Sequence, residues 1–279
     1  MNTFTTITAL RQHLEKLRST GQTIGFVPTM GALHPGHLSL IRNAKAQNNV
    51  VVCSIFVNPT QFNNPEDLAK YPRTLAVDSQ MLEDENCDIL FAPNAEEMYP
   101  VWPQTKFNFG NLEHVLEGAF RPGHFNGVGI VVSKLFNIVQ PNQAYFGQKD
   151  LQQCLIIKRL IEDLSFGITL HICPTLREAD GLAMSSRNVN LSETLRAKAP
   201  IIHQTLTQAK QKLTSQTVAE IKAFVEQQFT DIPEVQLEYF EVSELDTLLP
   251  ISGKVLDSAA LCIAVFFGKT RLIDNLLID

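Results

Sequence analysis

The first two-thirds of the chain alternates between two hydrophobic patterns. Ile7, Leu10, Leu14 and Leu17 recur at helical spacing, and the apolar run TIGFV follows them. After a polar turn, HLSLIRNAKAQ has a helical pattern, and VVVCSIFV is a continuous apolar and β-branched run. Such a run is typical of a parallel strand that is covered on both faces. The pattern therefore predicts repeated strand–helix units.

Further units of the same kind follow along the chain. DILFAP, AYFG and ITLHICP predict short strands, and the amphipathic stretch KDLQQCLIIKRLIEDL predicts a helix before the last of them. Strands that alternate with helices indicate an α/β fold, a Rossmann-like parallel sheet with helices on both faces. Ligands of such sheets bind in a crevice at the carboxyl ends of the strands, so we expect the functional groups there.

The pattern changes after Arg177. Two helical stretches, around SETLRAKAPIIHQTLTQAKQKL and TVAEIKAFVEQQF, precede three strand candidates, VQLEYFEV, AALCIAVFF and TRLIDNLLI. Helices followed by strands predict a smaller C-terminal α+β domain. We therefore expect residues 1–176 to form the Rossmann-like domain and residues 177–279 to form the second domain, with the segment MSSRN near its start.

Composition narrows the classes of function. The 279 residues are 19% charged and 44% hydrophobic, as in a globular protein, and the net charge of −6 argues against a nucleic-acid-binding protein. The five cysteines lie mostly in apolar runs and form no C-x-x-C pair, which fits a reducing compartment. The N-terminus has no signal-peptide profile, and no apolar stretch approaches the ~20 residues of a membrane span. These features predict a cytoplasmic protein without a membrane partner.

The turn Met30–His37 (MGALHPGH) carries two histidines just after a predicted strand. Gly31 and Gly36 permit a close approach of the backbone, and the helix that begins near Gly36 offers free N–H groups to an anion. Imidazoles in that place can donate hydrogen bonds to phosphate oxygens. A zinc site is an alternative, but it needs about three or four protein ligands, and no nearby cysteine or carboxylate pair completes it.

Two other polar clusters also follow predicted strands. In Phe146–Asp150 (FGQKD), Lys149 lies at a helix N-terminus, where a cation is unfavourable unless an anion is near. A solvated Lys–Asp pair is the alternative. In Met184–Asn188 (MSSRN), two hydroxyls and a guanidinium can clamp a polyphosphate, although a helix-capping loop has the same composition.

The combination of HxGH with a later serine-rich basic loop is the signature of the nucleotidyltransferase and class I aminoacyl-tRNA synthetase group. More narrowly, PTMGALHPGH, FVNPTQF, YPRT, RPGHFNGV, YFGQKDLQQ and READGLAMSSRN occur in the order found in the pantothenate synthetase (pantoate–β-alanine ligase) family, which the chain therefore resembles. The resemblance covers nearly all of the chain. It implies that ATP and (R)-pantoate give pantoyl adenylate and pyrophosphate, and that β-alanine then releases pantothenate and AMP.

The resemblance also implies a set of site residues. His37 resembles the family's assigned proton donor, and His34 and Lys149 are expected to act with it on the phosphates. Gln61 and Gln153 resemble the glutamines that hold pantoate, with Gln61 also near β-alanine. The residues that resemble the ATP contacts are Met30, Gly31, Ala32, Leu33, His34, Pro35, Gly36, His37, Gly147, Gln148, Lys149, Asp150, Leu176, Met184, Ser185, Ser186 and Arg187. Mg²⁺ is expected to bridge the phosphates on protein ligands that the sequence does not identify, and a homodimer is implied.

Other residues and other functions stay open at this point. Asp78 is either a metal ligand or, the preferred interpretation, a solvated carboxylate on a helix. Arg121 and His124 of RPGHF either approach the substrate or anchor their loop. A nucleotidyltransferase would need HxGH but not NPTQF or KDLQQ. A tRNA synthetase needs more chain after Arg187, and a non-catalytic nucleotide sensor needs no pantoate pocket.

Overall fold

The computed structural model describes residues 1–63, 65–255 and 258–278. Within these ranges the larger part of the chain forms a six-stranded sheet in which every pair of neighbouring strands is parallel, as the apolar runs predict. Its strands are β1 (Asn2–Phe4), β2 (Ile24–Thr29), β3 (Val50–Ile55), β4 (Ile89–Phe91), β5 (Gln143–Gly147) and β6 (Thr169–Cys173). The strand order is β1-β4-β3-β2-β5-β6.

Helices cover both faces of this sheet, which confirms the Rossmann-like class. They are α1 (Ile7–Ser19), α2 (Pro35–Gln47), α3 (Pro65–Lys70), α4 (Leu75–Asp84), α5 (Ala95–Met98), α6 (Leu116–Phe120), α7 (His124–Val139) and α8 (Leu151–Asp163). Along β2, Phe26 belongs to one apolar cluster and Val27 to the other, because successive side chains of a strand point to opposite faces. Because both faces of the sheet are buried, apolar residues follow one another along the strands and do not alternate with polar ones.

The central strand β2 pairs with β3 on one side and with β5 on the other. The chain runs from β2 outward to β3 and β4, and it then crosses back to place β5 against the free edge of β2. The strand order therefore reverses between β2 and β5. In open α/β sheets this switch point opens a crevice at the carboxyl ends of the two strands. The MGALHPGH turn follows β2, and FGQKD spans the end of β5.

The pattern did not predict α3, α5 and α6, nor the strand β1 and the helix α7. The strand β1 has three residues, too few for an alternation to show. The helix α7 is buried over most of its length, including both Val131 and Val132. A helix that is apolar on nearly all sides has a weak amphipathic period, so its sequence does not mark it.

The C-terminal part is the predicted α+β unit. Its elements are α9 (Glu193–Lys198), α10 (Ile201–Lys212), α11 (Val218–Phe229), β7 (Val235–Glu244), β8 (Ala259–Phe267) and β9 (Thr270–Ile278). The strands form an antiparallel sheet in the order β7-β8-β9. The first helical stretch is divided at Pro200, which has no N–H to continue α9 and precedes the first turn of α10.

The C-terminal sheet also packs on the first part. Leu248, Ala260 and Cys262 are buried in the same apolar cluster as the main sheet, whereas Leu182 and Ile263 belong to a separate C-terminal cluster. The boundary at residue 177 stays a prediction. The cysteines of the described chain are free and buried, as their apolar neighbours predict. None of the helices in the described ranges is long and apolar enough to cross a membrane.

Candidate active site

A cavity of about 300 Å³ lies at the carboxyl ends of β2 and β5, where the strand order reverses. Thr29 and Met30 line it from the end of β2, and Gly147 lines it from the end of β5. The MSSRN loop and residues 271–275 of β9 also line it. The three polar clusters that the sequence singled out therefore meet around one space.

Most of the predicted site residues line this cavity. They are Met30, His34, Gly36, His37, Gln61, Gly147, Lys149, Asp150, Gln153, Leu176, Met184, Ser185, Ser186 and Arg187. Gly31, Ala32, Leu33 and Pro35 lie outside its lining and shape the turn instead. Gln148 also lies outside, because its side chain donates a hydrogen bond to Asn275 at 3.1 Å.

His34 is the N-cap of α2 and is held by its own helix. Its Nδ1 accepts a hydrogen bond from the Gly36 N–H at 3.2 Å, so the proton of the neutral ring is on Nε2. A Cβ atom at Gly36 would lie 2.9 Å from the His34 ring, which explains the glycine between the two histidines. The His34 and His37 rings lie 4.0 Å apart between their centroids.

Both imidazoles are neutral at pH 7. Burial, followed by the charge of Lys149, lowers the pKa of His34 to about 4. Burial, followed by His34 and Lys149, lowers the pKa of His37 to about 3. The His37 Nδ1 is buried without a partner in the described part of the chain. Since a buried N–H is rarely left without an acceptor, we assign the His37 proton to Nε2.

Asp78 anchors the backbone of the histidine turn. Gly31 and Ala32 have φ angles of 84° and 51°, and the turn is fixed by the Asp78 carboxylate, which accepts hydrogen bonds from the N–H groups of Ala32 at 3.0 Å and Leu33 at 2.8 Å. Asp78 is only 1% exposed, so the preferred interpretation as a solvated carboxylate is wrong. Its burial is tolerated because backbone N–H groups replace water around the charge.

Lys149 is oriented from both parts of the chain. Its Nζ contacts the Asp150 carboxylate at 3.2 Å, and its backbone carbonyl accepts a hydrogen bond from Asn275 of β9 at 2.9 Å. The same Asn275 amide also donates to the Gln148 carbonyl at 2.9 Å. The C-terminal sheet thus fixes the turn that presents the lysine to the cavity.

The MSSRN loop is tied to β9 in a similar way. The Arg187 guanidinium donates to the Arg271 carbonyl at 3.2 Å, and the Ser185 hydroxyl accepts from the Arg187 N–H at 3.2 Å. Burial raises the pKa of Tyr71, while Arg187 and a hydrogen bond with Ser186 act in the opposite direction. Tyr71 of YPRT therefore touches this loop across the cavity.

The two predicted glutamines differ in how they are held. Gln61 is buried, its Oε1 accepts from Asn58 at 3.0 Å, and its Nε2 lies 3.0 Å from the Met30 sulfur. The Gln153 amide has no hydrogen-bond partner among the described residues and lies open to the cavity. The adjacent Gln152 is instead used inside the protein, where it bonds the backbone of residues 112, 115 and 117.

Several residues of the site carried no usable signal in the sequence. Asn58 and Tyr71 lie inside the quoted segments NPTQF and YPRT, but nothing local set them apart from loop residues. Asn275 lies in a strand that is far from Lys149 in sequence. Its role depends on the packing of the two parts, which a local pattern does not show.

No cluster of three or more histidine, cysteine or carboxylate side chains suited to a metal ion occurs in the described ranges. The zinc alternative for the histidine turn therefore has no support. Mg²⁺ is different, because it commonly keeps water and binds one or two carboxylates together with substrate phosphates. Asp150 lines the cavity and meets that need, whereas both oxygens of Asp78 are occupied by the turn.

Comparisons with known proteins agree over the whole chain. A model of the family described as pantoate-beta-alanine ligase matches residues 2–277. Pantothenate synthetase of Bacteroides thetaiotaomicron is 49% identical over 278 residues, 99% of this chain and 98% of that protein. The crystal structure of pantothenate synthetase from Thermus thermophilus has a TM-score of 0.92 at 44% identity and covers 99% of both chains.

A further solved structure carries ligands. It is the pantoate-beta-alanine ligase of Francisella tularensis, described as complexed with beta-gamma ATP and beta-alanine. Its TM-score is 0.81 at 38% identity, over 99% of this chain and 97% of that one.

Proposed function

The chain belongs to the pantoate-beta-alanine ligase family, and we propose how its own residues carry out that reaction. The enzyme uses ATP to condense (R)-pantoate with β-alanine and gives pantothenate, AMP and pyrophosphate through pantoyl adenylate. One observation carries the residue assignment. The histidine turn after β2 and Lys149 after β5 meet at the switch point of the sheet, and two glutamines line the same cavity.

In the first step a pantoate carboxylate oxygen attacks the α-phosphorus of ATP. The bond from that phosphorus to the bridging oxygen breaks, and pyrophosphate leaves with the electron pair. Negative charge moves onto phosphate oxygens, and the Nε2–H groups of His34 and His37 and the ammonium of Lys149 are placed to stabilise it. Both imidazoles are neutral before ATP binds, so each ring offers one N–H group as a hydrogen-bond donor to the incoming phosphates. ATP phosphates favour the protonated ring, which strengthens the proton-donor role proposed for His37.

In the second step the neutral amine of β-alanine attacks the acyl carbon of pantoyl adenylate, the bond from that carbon to the phosphate oxygen breaks, AMP leaves with the electron pair, and the nitrogen releases a proton to water. Gln61 and Gln153 hold the pantoyl group for this attack by hydrogen bonds to its oxygens. No protein nucleophile is needed in either step. Burial raises the pKa of the thiols Cys87 and Cys262 to about 11 and about 12, which keeps them unreactive.

The nucleotide is held by the histidine turn, by residues 147–150, and by the loop that contains Leu176 and Met184–Arg187. Mg²⁺ on the phosphates would neutralise part of their charge, with Asp150 as its carboxylate ligand. A homodimer is proposed from the family resemblance, and a cytoplasmic location from the pattern of the cysteines. Mass measurement in solution tests the first of these.

An omission assay tests the function. AMP release should require ATP, pantoate and β-alanine together, and pantoate-dependent exchange of pyrophosphate into ATP should proceed without β-alanine. AMP release without pantoate, or an exchange that requires the amine, would contradict the two-step order.

A further inference from the structure

Arg121 is a cation in the active-site cavity whose guanidinium has no hydrogen bond or ion pair among the described residues. It lies in the turn between α6 and α7, and its side chain lines the cavity. The nearest candidate partner, Glu117, is already occupied: its two carboxylate oxygens accept from Arg271 at 2.6 and 2.7 Å, and Oε1 also accepts from the Tyr239 hydroxyl at 2.9 Å. Arg121 is therefore available to an anion from solution.

The other cations of the cavity are already engaged. Lys149 pairs with Asp150, Arg271 pairs with Glu117 and Glu238, and Arg187 donates to a backbone carbonyl. Burial lowers the pKa of Arg121, with Arg187 and Arg271 acting in the same direction against Glu117 and Asp150. An unpaired and partly desolvated guanidinium is unfavourable, and a carboxylate with two parallel acceptors satisfies it best.

The position of Arg121 indicates which anion its guanidinium binds. Its turn is tied to the NPTQF segment rather than to the phosphate-binding loops: the Asn63 amide donates to the Pro122 carbonyl at 3.0 Å, and His124 Nδ1 donates to the Gln61 carbonyl at 2.9 Å. Arg121 therefore lies on the side of Gln61, where the acyl group and the incoming amine meet.

The helix α6, which precedes the turn, is held at both of its ends. The Gln152 amide holds the start of α6 through the carbonyls of residues 112 and 115 and the N–H of Glu117, and Phe120 stacks on Tyr239 with ring centroids 5.5 Å apart. If a cation holds the carboxylate of the amine substrate in one place, only a substrate of matching chain length brings its amine to the acyl carbon.

We propose that Arg121 binds the carboxylate of the amine substrate and so selects an amino acid with two methylenes between its amine and carboxylate. The inference rests on the proposed function and adds the group that recognises β-alanine. Glycine, which is one methylene shorter, and 4-aminobutyrate, which is one longer, place the amine away from the acyl carbon when the carboxylate is bound.

The test compares Arg121→Gln and Arg121→Lys with Arg159→Gln, an exposed arginine of α8, in the full-length protein. Amine use is measured with β-alanine, glycine, 4-aminobutyrate and 3-aminopropanamide, which lacks the carboxylate. We expect kcat/KM for β-alanine to fall roughly 10- to 150-fold in Arg121→Gln, the scale of a lost hydrogen bond to a charged group. The amide should be used as before, so that the preference for β-alanine over it collapses, and Arg121→Lys should recover part of that preference.

Pantoate-dependent pyrophosphate exchange without amine separates the outcomes. It should stay at the wild-type rate in every variant, which also verifies that the protein is folded and that the proposed function holds. A loss of exchange in both Arg121 variants would assign the residue to the phosphates and overturn the proposal. An equal loss with β-alanine and its amide, or an unchanged preference, would overturn it as well. If Arg121→Gln does not fold, Arg121→Lys decides the matter: a reduced preference for β-alanine over its amide supports the proposal, and an unchanged preference overturns it.

Discussion

The Asn275 side chain donates a hydrogen bond to the backbone carbonyl of Lys149 at 2.9 Å, across 126 residues of sequence. Asn275 is 3% exposed, and its second bond to the Gln148 carbonyl makes it a clamp on the turn that presents the lysine. The C-terminal sheet therefore takes part in the proposed active site without supplying a charged group at this position.

Asn275→Ala should lower the rate of adenylation by up to about 100-fold, because a small displacement of a positioned group has effects of that size. Asn275→Asp should be no better, since a carboxylate cannot donate to two carbonyls. The pyrophosphate exchange rate measures the effect, with Asn137→Ala, an exposed asparagine of α7, as the control. A normal exchange rate in both Asn275 variants would show that Lys149 is positioned without the clamp.

Gly36→Ala should displace the His34 ring, because the added Cβ would lie 2.9 Å from ring atoms. We expect adenylation to slow by about 100-fold, again the scale of a misplaced catalytic group. Gly167→Ala is the matched control, since nothing lies within 4 Å of its Cβ position. Equal activity of the two variants would mean that the His34 orientation is unimportant.

His34 and His37 should stay unprotonated in the free enzyme well below pH 6.5, because burial and Lys149 lower their pKa values to about 4 and about 3. In the unfolded chain both rings titrate near the ordinary value of about 6.5. Their contribution to folding stability is therefore complete above that pH and is lost as the pH falls toward the folded values, where the unfolded state binds more protons.

NMR titration of ring-labelled histidines checks this, with the denatured protein as the reference. A midpoint near the ordinary pKa of about 6.5 for either ring in the folded protein would contradict the assignment of two neutral donors. ATP should shift both midpoints upward, since its phosphates stabilise the charged ring.

Gln61→Ala and Gln153→Ala should each weaken pantoate binding by about 5- to 150-fold, equivalent to about 1–3 kcal/mol, because a polar group of the substrate loses its partner. ATP affinity should stay near its starting value, and Gln→Glu should be worse than Gln→Ala through repulsion of the pantoate carboxylate. Calorimetric titration of both ligands tests this, with Gln211→Ala on the exposed face of α10 as control.

The two glutamines should also differ in stability. Gln61→Ala removes one of the two acceptors of the buried Asn58 amide and should lower the free energy of unfolding, whereas Gln153→Ala breaks no protein bond in the described chain. Unchanged pantoate affinity in both folded variants would remove these residues from the pantoate site.

Asp78→Asn should lower the free energy of unfolding by about 1–3 kcal/mol, because an amide nitrogen would face one of the buried N–H groups of the histidine turn. ATP affinity should fall with it, since the turn loses its fixed shape. Denaturant unfolding and ATP titration measure both effects, and Asp84→Asn at the exposed end of α4 is the control. Full ATP affinity in a destabilised Asp78→Asn would separate the turn geometry from nucleotide binding.

Local patterns in the chain predicted the α/β class, which the structure confirms, and they singled out three polar clusters that line one cavity. The strand β3 is marked by an apolar run that only a doubly covered strand tolerates, and the histidine turn is marked by residues whose backbone and ring chemistry act locally. The motifs marked the three polar clusters because the residues of each cluster are contiguous in the chain. The resemblance supplied Gln61 and Gln153, which no local pattern distinguishes from surface amides.

Packing between distant segments decides which side chains face the candidate site and which make contacts inside the protein. Gln152 and Gln153 are neighbours in sequence and both line the cavity, but the Gln152 amide bonds the backbone at residues 112 and 117, whereas the Gln153 amide has no partner in the described chain. Asp78 had the pattern of a surface carboxylate, yet the turn at Ala32 folds onto it. Asn275 acquires its position from contacts with a distant segment, and the role proposed for Arg121 depends on the packing of its turn against the NPTQF segment. Such contacts depend on how helices and sheets pack, and the energy of that packing is not encoded in any one stretch of residues.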